Sequence, residues 1–479
     1  MKDLLQSICD KATKRGASFA DVRVVESDNT GIMRQDGRAD RLNQASAKGL
    51  GIRILKDAAW GFASVSDFDR DTAFEALDAA VSMAEASSER SEEAKVAHLT
   101  AVEHAETARV EIDPRSVGVE TKMAALQGYE QSAIKAAGDK LANSIISYSD
   151  TVATETVCNT AGTYVEKETV RTIMHAMFVV TDGTVLQRAR ARVGEPVGFE
   201  LVEKTPAEDF TVKPAELAVS LLSASPPPAG KFPVVFHPSI TGLLTHEAIG
   251  HNAEADHILS GTSVIAGKLG DKIASDLVTI VDDSTIPAKW GSYTYDSEGT
   301  PGARRVLIDK GVLKGYMHSL ETAARLGAQP NGSARAQSYG NRPIVRMSNT
   351  FIEPGESTFD DLINGIDLGV YLKGGDYGYV FCERGQFTCH AGEAYMIRSG
   401  QIAEHLRDVS VAGMTLETLM NIDAVSNDFE MKMPGSCGKN GQSMYVDNGG
   451  PHVRVKELVV GGTAQRTNTT ACLEGTAQR

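Results

Sequence analysis

Residues Thr245-His246-Glu247-Ala248-Ile249-Gly250-His251 combine two histidines with a glutamate beside the first. The histidines stand at i and i+5, whereas ligands on one face of a regular helix stand at i and i+4. Five residues turn an α-helix by about 500°, which leaves the second ring about 140° away from the first. A single wide π turn adds one residue and brings both rings to one face, and a glycine at position 250 lowers the cost. If both histidines face one site, we therefore predict an irregular helical turn here.

These residue types are those of a zinc hydrolase. Imidazole nitrogens are common zinc ligands, and a carboxylate beside them can accept a proton from a water molecule that the metal activates. The pattern also arises by chance, so two unrelated histidines on one helix are an alternative at this point. Residues 232–236 (Phe-Pro-Val-Val-Phe) predict a short buried strand before the motif, with Ser239 or Thr241 opening the helix that follows.

Composition bounds the class of protein. The chain has 479 residues, of which 42% are hydrophobic and 23% charged, as in an ordinary globular protein of two large domains. Its 63 acidic and 48 basic residues give a formal net charge of −15, which disfavours nucleic acid and anionic membranes as partners. No apolar run reaches the roughly 18 residues of a membrane span. The six scattered cysteines and a start unlike a signal peptide favour a reducing, cytoplasmic location.

The pattern along the chain predicts an α+β fold of two domains. In the first half, strand-like segments with turns at Asp36-Gly37 and Asp182-Gly183 alternate with helical segments at the start of the chain, which Gly16 ends, and at residues 69–90, 122–137 and 214–223. Three prolines at 226–228 mark a boundary. We predict an N-terminal mixed α+β domain of residues 1–225 and a C-terminal β-rich domain of residues 231–464, a barrel or sandwich that carries the metal-site helix.

Two further features of the second half are predicted. One helix is expected near residues 358–365, among short strands and glycine-bearing turns. Residues 465–479 are expected to be a disordered tail, because the sequence Gly-Thr-Ala-Gln-Arg at 462–466 recurs at 475–479.

A catalytic zinc takes three protein ligands and keeps one position open, so a third ligand is required. The candidates are His257, Glu254, Asp256 and Cys437, which lies on a glycine-flanked turn. A thiolate is a strong zinc ligand, but an ordinary half-buried thiol is the alternative for Cys437. Glu254 and Asp256 could instead orient a ligand imidazole, or lie on a solvated helix face.

The motif from His246 to Asp256 resembles the signature of the TldD/PmbA family of metallopeptidases, on its TldD side. The resemblance continues in order through blocks that cover most of residues 232–464: Gly261-Thr262-Ser263-Val264, Val281-Asp282-Asp283, Asp296-Ser297-Glu298-Gly299, Leu313-Lys314-Gly315-Tyr316-Met317, Arg346-Met347-Ser348-Asn349-Thr350, Gly392-Glu393-Ala394-Tyr395, Cys437-Gly438-Lys439-Asn440-Gly441-Gln442 and Val459-Val460-Gly461-Gly462-Thr463-Ala464.

The resemblance implies a cytoplasmic zinc peptidase that cleaves unstructured peptides. It implies one Zn²⁺ per catalytic subunit, held by His246, His251 and Cys437, with Glu247 as general base. TldD-like subunits commonly pair with a TldE-like (PmbA) subunit that lacks the His-Glu motif, and the peptide passes through a channel between them. A heterodimer of this kind or a homodimer is therefore expected, with this chain as the catalytic subunit because it keeps the motif.

Departures and rival functions stay open at this point. Residues 374–380 differ from the family's pattern, which leaves peptide specificity open, and Cys382 and Cys389 are expected to be plain strand residues. One rival is a cysteine hydrolase with Cys437 as nucleophile and a histidine as base. The other is a non-enzymatic peptide-binding subunit with a structural four-ligand zinc that adds Glu247 or His257.

Overall fold

The structure, a computed structural model, describes residues 1–88 and 94–462. The predicted tail, residues 465–479, lies outside the described residues. The helices are α1 (Lys2–Lys14), α2 (Arg70–Ser87), α3 (Val119–Ala137), α4 (Glu200–Lys204), α5 (Lys213–Leu221), α6 (Pro238–Thr245), α7 (Ala255–Leu259), α8 (Leu320–Leu326), α9 (Phe359–Ile363) and α10 (Thr415–Met420).

The first half of the chain forms one mostly antiparallel sheet in the order β3-β2-β1-β5-β6-β4, with β7 beside β6. Only β4 runs parallel to its neighbour β6. The strands of this sheet are β1 (Phe19–Gln35), β2 (Arg38–Lys56), β3 (Ala59–Ser66), β4 (Glu103–Glu106), β5 (Leu141–Asn159), β6 (Tyr164–Thr181) and β7 (Leu186–Glu195).

The two faces of this sheet have different neighbours because side chains alternate along a strand. On β1, Val22 and Val24 face the core that α1 and α2 cover, and Ile32 faces the core under α3 and α5. The intervening Arg23 points the other way and donates hydrogen bonds to the carbonyls of Ser338 and Asn341. The sheet is therefore a middle layer between its own helices and the second half of the chain.

The second half contains a ring of five strands. The order β15-β8-β23-β18-β16 is closed by pairing of β15 with β16, and β17 and β19 flank this ring. The five ring strands and the two flanking strands are β8 (Gly230–Phe236), β15 (Leu368–Phe381), β16 (Gln386–Arg398), β17 (Gln401–Leu406), β18 (Val409–Met414), β19 (Ile422–Val425) and β23 (Val453–Gly462). Closure pairs the long edges that an open sheet would leave unpaired.

A third sheet completes the fold, in the order β11-β10-β9-β14-β22-β20, with β21 beside β22 and a small β12-β13 pair apart from it. Its members and that pair are β9 (Ile280–Asp283), β10 (Arg304–Asp309), β11 (Val312–Leu313), β12 (Ala334–Arg335), β13 (Ile344–Val345), β14 (Asn349–Ile352), β20 (Glu430–Met431), β21 (Gly435–Lys439) and β22 (Gln442–Gly450).

Helix α6 lies between this third sheet and the ring of five strands, against β22 and β14 on one side and β15 on the other. Gly242 permits the close packing, because a β-carbon there would lie 2.5 Å from the backbone nitrogen of Gly449. Two sheets therefore clamp the helix that leads into the histidine motif.

The predicted α+β class, with a β-rich second half that carries the motif, is confirmed. The helices expected at residues 122–137, 214–223 and 358–365 correspond to α3, α5 and α9, while α4, α7, α8 and α10 were not foreseen. The division at residues 225–231 stays a prediction. Within the described chain, no helix combines the length and the apolar content that crossing a membrane requires.

Candidate metal centre

Helix α6 begins one residue after His237, whose ring Nδ1 accepts a hydrogen bond from the backbone N–H of Ser239 at 3.2 Å. The expectation that Ser239 or Thr241 opens the helix is therefore wrong, because both lie inside it. Pro238 at the first helical position fits this start, since its missing N–H would have no partner there. The helix then runs for two turns to Thr245, directly before the motif.

The motif departs from α-helical geometry as its spacing predicts. Residues His246–Gly250 form a π turn in which the backbone N–H of His251 donates to the carbonyl of His246. Gly250 is required by packing as well, because a β-carbon there would lie 2.0 Å from the sulfur of Met347, which is fully buried. The predicted wide turn within residues 248–251 is confirmed, and it brings the two rings within 5.1 Å between centroids.

Strand β21 brings a thiol to these rings. One ligand atom each from His246, His251 and Cys437 lie within 4.8 Å of one another, and Cys437 Sγ is 3.3 Å from His251 Nε2. Tetrahedral zinc with bonds of about 2.0–2.3 Å requires ligand atoms about 3.3–3.6 Å apart. The buried Nδ1 of His246 has no hydrogen-bond partner in the described chain. The donor set and this orphaned nitrogen both fit a bound metal ion.

Glu254 lies behind His251 and is fully buried. Its Oε2 is 3.0 Å from His251 Nδ1 and 3.2 Å from Lys439 Nζ, and its Oε1 is 3.8 Å from Arg346 Nε. A carboxylate at Nδ1 fixes the ring so that Nε2 faces Cys437. Asp256 does not touch the ring but pairs with Lys439 at 2.6 Å. Of the two acids considered in the sequence, Glu254 is therefore the one that orients an imidazole.

The charges within the group reinforce one another. Burial opposes ionisation of Cys437, but the imidazoles of His246 and His251 outweigh burial and lower the pKa of the thiol to about 4. Burial also raises the pKa of Glu254, yet Lys439 and His251 lower it to about 2. Cys437 is thus held as a thiolate, which is the form that ligates metals.

Glu247 directly follows His246, and no other described side chain or backbone group binds its carboxylate. Its carboxylate makes no hydrogen bond or ion pair within residues 1–88 and 94–462. Strand β15 passes directly over it, since a β-carbon on Gly378 would lie 3.1 Å from Glu247 Cγ. The close approach of Gly378 to Glu247 was not predicted from the sequence. The one available signal was that Gly378 lies in residues 374–380, which depart from the family pattern.

The remaining candidate residues lie elsewhere. His257 Nε2 is 3.8 Å from Glu254, its Nδ1 contacts the Thr262 hydroxyl, and its ring does not join the group of His246, His251 and Cys437. Cys389 is a buried residue of β16, as expected. Cys382 is not in a strand, because the chain already turns after Phe381 to enter β16. The five cysteines within the described residues are free thiols.

Comparison with known proteins places the chain in a family. Three domain profiles match it in order: PmbA/TldA metallopeptidase domain 1 over residues 20–88, the central domain over residues 112–222 and the C-terminal domain over residues 229–462. The chain belongs to the TldD/PmbA family of metallopeptidases. The resemblance carried by the His-Glu motif and the later blocks is confirmed.

Relatives within this family match between half and nearly all of the chain. A metalloprotease of Methanothermobacter thermautotrophicus is 39% identical over 447 residues, which cover 93% of this chain and 96% of the relative. A zinc metalloprotease TldD homolog of Saccharolobus solfataricus is 40% identical over 246 residues, or 51% of this chain and 54% of the relative. The crystal structure of TldE from Thermococcus kodakarensis superposes with a TM-score of 0.76 over 96% of this chain and all of that chain. At 21% identity, this likeness shows a shared fold.

Proposed function

We infer that this protein is a zinc-dependent peptidase and the TldD-like, catalytic subunit of its family. The observation that carries the proposal is the convergence of His246, His251 and Cys437 within 4.8 Å, with the unpaired Glu247 next to His246 on the same turn. Three ligands leave one tetrahedral position for water or substrate, as in catalytic zinc sites. The name of the Saccharolobus solfataricus relative supports zinc as the metal.

The chain's own residues supply proton transfer and orientation. When bound, zinc polarises the scissile carbonyl and makes the attacking water more acidic. Glu247 accepts the proton of that water as general base and delivers it to the leaving amine, which requires a carboxylate free of other partners. Glu254 holds His251 in one tautomer, and Arg346 fixes the Cys437 backbone by donating to its carbonyl. The ligands are thus held by further contacts, while the Glu247 carboxylate is left available to accept a proton.

Partner and substrate follow from the proposed function. A TldE-like subunit is proposed as the partner in a heterodimer, with a homodimer as the alternative, and unstructured peptides are proposed as substrates. The pairing rests on the resemblance to TldD-like subunits, and the fold shared with TldE is compatible with two related subunits. The expected cytoplasmic location stays a prediction.

Metal content and activity together test the proposal. We expect Cys437→Ala and His251→Ala to lose most of the zinc that elemental analysis finds in the parent protein. Glu247→Gln should keep the zinc and lower kcat about 10²- to 10⁴-fold, because it removes proton transfer and no ligand. Cys158→Ala, at another buried cysteine, and Glu404→Gln, at an exposed glutamate paired with Arg398, are the matched controls.

The same assays distinguish a zinc peptidase from a cysteine hydrolase and from a non-enzymatic subunit with a structural zinc. A cysteine hydrolase would resist chelators, lose activity on alkylation and lose it with Cys437→Ala even at full zinc content. Cys437 is only 5% exposed, which argues against an attacking nucleophile, whereas its contact with His251 fits either function. A structural four-ligand site would lose zinc with Glu247→Gln or with His257→Ala, whichever residue is the fourth ligand, and would show no turnover in the parent protein. Full zinc content in both ligand variants would overturn the metal assignment.

A further inference from the structure

A cavity of about 330 Å³ lies between the N-terminal sheet and the second half of the chain, apart from the candidate metal centre. Strands β1, β5 and β6 line it from the sheet, on the face that carries Arg23. From the other side it is lined by residues 293–297 and by the β21–β22 hairpin. Because side chains alternate, Ser436, Ser443 and Tyr445 face this cavity while Cys437 faces the histidines from the opposite side of the hairpin.

Two arginines in the cavity wall carry charge that the protein does not neutralise. Arg171 and Arg335 are 8% and 5% exposed. No carboxylate oxygen of the described residues lies within the 4.0 Å of an ion pair from either guanidinium, whereas the neighbouring Lys167 pairs with Glu155 at 3.0 Å. Buried cations are normally paired, so an unpaired couple at one cavity points to a ligand of opposite charge.

The contacts that these arginines do make fix their orientation. Arg171 donates to the carbonyls of Trp290 at 3.4 Å and Ser292 at 3.1 Å and lies over the Tyr445 ring. Arg335 donates from Nη1 to the carbonyls of Met347 and Tyr445, at 2.8 and 2.6 Å, and lies over the Tyr293 ring. These bonds leave Nε and Nη2 of Arg335 and Nη1 of Arg171 without an acceptor in the described chain. All three nitrogen atoms are accessible to solvent, and they face the cavity that the two arginines line.

The electrostatics of the cavity favour an anion. Burial, with the nearby Arg171, lowers the pKa of Arg335 to about 10, although Tyr293 opposes the change. Two carboxylates also line the cavity, but both are already engaged. Glu155 is paired with Lys167, and Asp296 accepts three backbone N–H groups while burial raises its pKa to about 7.

We propose that this cavity binds an oxyanion group, a carboxylate or a phosphate, between Arg171 and Arg335. Guanidinium groups match the planar, two-oxygen geometry of carboxylate and phosphate, and the hydroxyls of Ser436 and Ser443 add neutral donors. The anion has two sources, the C-terminal carboxylate of a peptide or a free inorganic or small organic anion. The proposal goes beyond the peptidase function and does not depend on it, because no metal ligand lines the cavity.

Binding to the full-length protein tests the site, with inorganic phosphate, N-acetylalanine and N-acetylalaninamide as probes. None of the three contains a bond between two amino acids, so peptidase activity does not interfere. We expect phosphate, N-acetylalanine or both to bind in calorimetry and to raise the Tm, and the amide to do neither. Arg335→Gln and Arg171→Gln should each weaken binding at least tenfold, while Arg398→Gln, at an exposed arginine paired with Glu404, should not.

The three probes distinguish the two possible sources of the anion. Binding of N-acetylalanine alone identifies a peptide carboxylate, and binding of phosphate alone identifies a free anion; both support the site. Failure of all probes, equal binding of the amide, or undiminished binding by Arg335→Gln overturns it. If the arginine variants do not fold, Trp60→Phe leaves Trp290, whose ring centroid lies 5.2 Å from that of Tyr445, as the single tryptophan. Its emission should change on addition of phosphate or N-acetylalanine, and no change with either overturns the proposal.

Discussion

At the scale of single residues, two glutamates seven positions apart illustrate how surroundings separate roles. Glu254 is fully buried and shares its charge with His251, Lys439 and Arg346, so it is fixed in place. Glu247 is partly exposed and has no partner in the described chain, so it is free to exchange protons. A carboxylate held by cations is a poor base, because its protonation would cost those interactions. Position on the turn and long-range partners, and not residue type, therefore distinguish the two.

The role of Glu254 predicts a specific loss. Glu254→Gln keeps the shape but removes the charge that orients His251, and we expect zinc affinity to fall about 10- to 100-fold. Asp256→Asn is the matched control, since Asp256 also pairs with Lys439 but does not touch the ring. Competition with a chelating dye measures both affinities. Equal affinities for the two variants would mean that Glu254 contributes only through Lys439, and not through the imidazole.

At the scale of elements, the π turn is the feature that sequence alone could predict. The angular mismatch of five residues in an α-helix requires it if both histidines share a site, and the structure contains it at His246–Gly250. The start of the preceding helix was predicted wrongly. The helix is capped by the His237 ring, which accepts a backbone N–H, and histidine is a less common cap than serine or threonine. Contacts of Arg346 and Lys439 with Glu254 join distant segments, and local spacing carries no signal for them.

The turn itself is expected to be sensitive to volume at Gly250. Gly250→Val places carbon atoms where the buried Met347 sulfur lies, and overpacking of this kind costs about 1–3 kcal/mol of unfolding free energy. Zinc affinity should also fall, because His251 directly follows Gly250 and moves with it. Gly128→Val in α3 is the control, since nothing lies within 4 Å of a β-carbon there. Denaturant unfolding and zinc titration measure the two effects, and a variant with unchanged zinc affinity would show that the turn tolerates displacement.

At the scale of the whole molecule, the polar face of the N-terminal sheet is the main feature beyond the reach of sequence. Alternation of polar and apolar residues in β1 predicts a strand, yet it does not say what covers the polar side. Asp21, Arg23 and Arg53 are at most 5% exposed, and Arg53 pairs with Glu298 of the second half. The charged side chains therefore form an interface within the chain, because a second layer of structure replaces solvent there.

Burial of the candidate site predicts which substrates reach it. His246 and Cys437 are each 5% exposed, and β15 passes over Glu247, so a scissile bond must enter as part of an extended strand. A folded domain cannot present its backbone in this way without unfolding, and cleavage should therefore follow the unfolded fraction of the substrate. The measurement compares one small two-state domain with a core variant of it that is about 2.8 kcal/mol less stable, which raises the unfolded fraction about 100-fold. We expect initial cleavage rates to differ by a similar factor under native conditions and to become equal in enough urea to unfold both substrates but not the peptidase. Similar rates without urea would mean that the protein opens folded chains or reaches exposed loops, and the site would then have to be more accessible than its burial indicates.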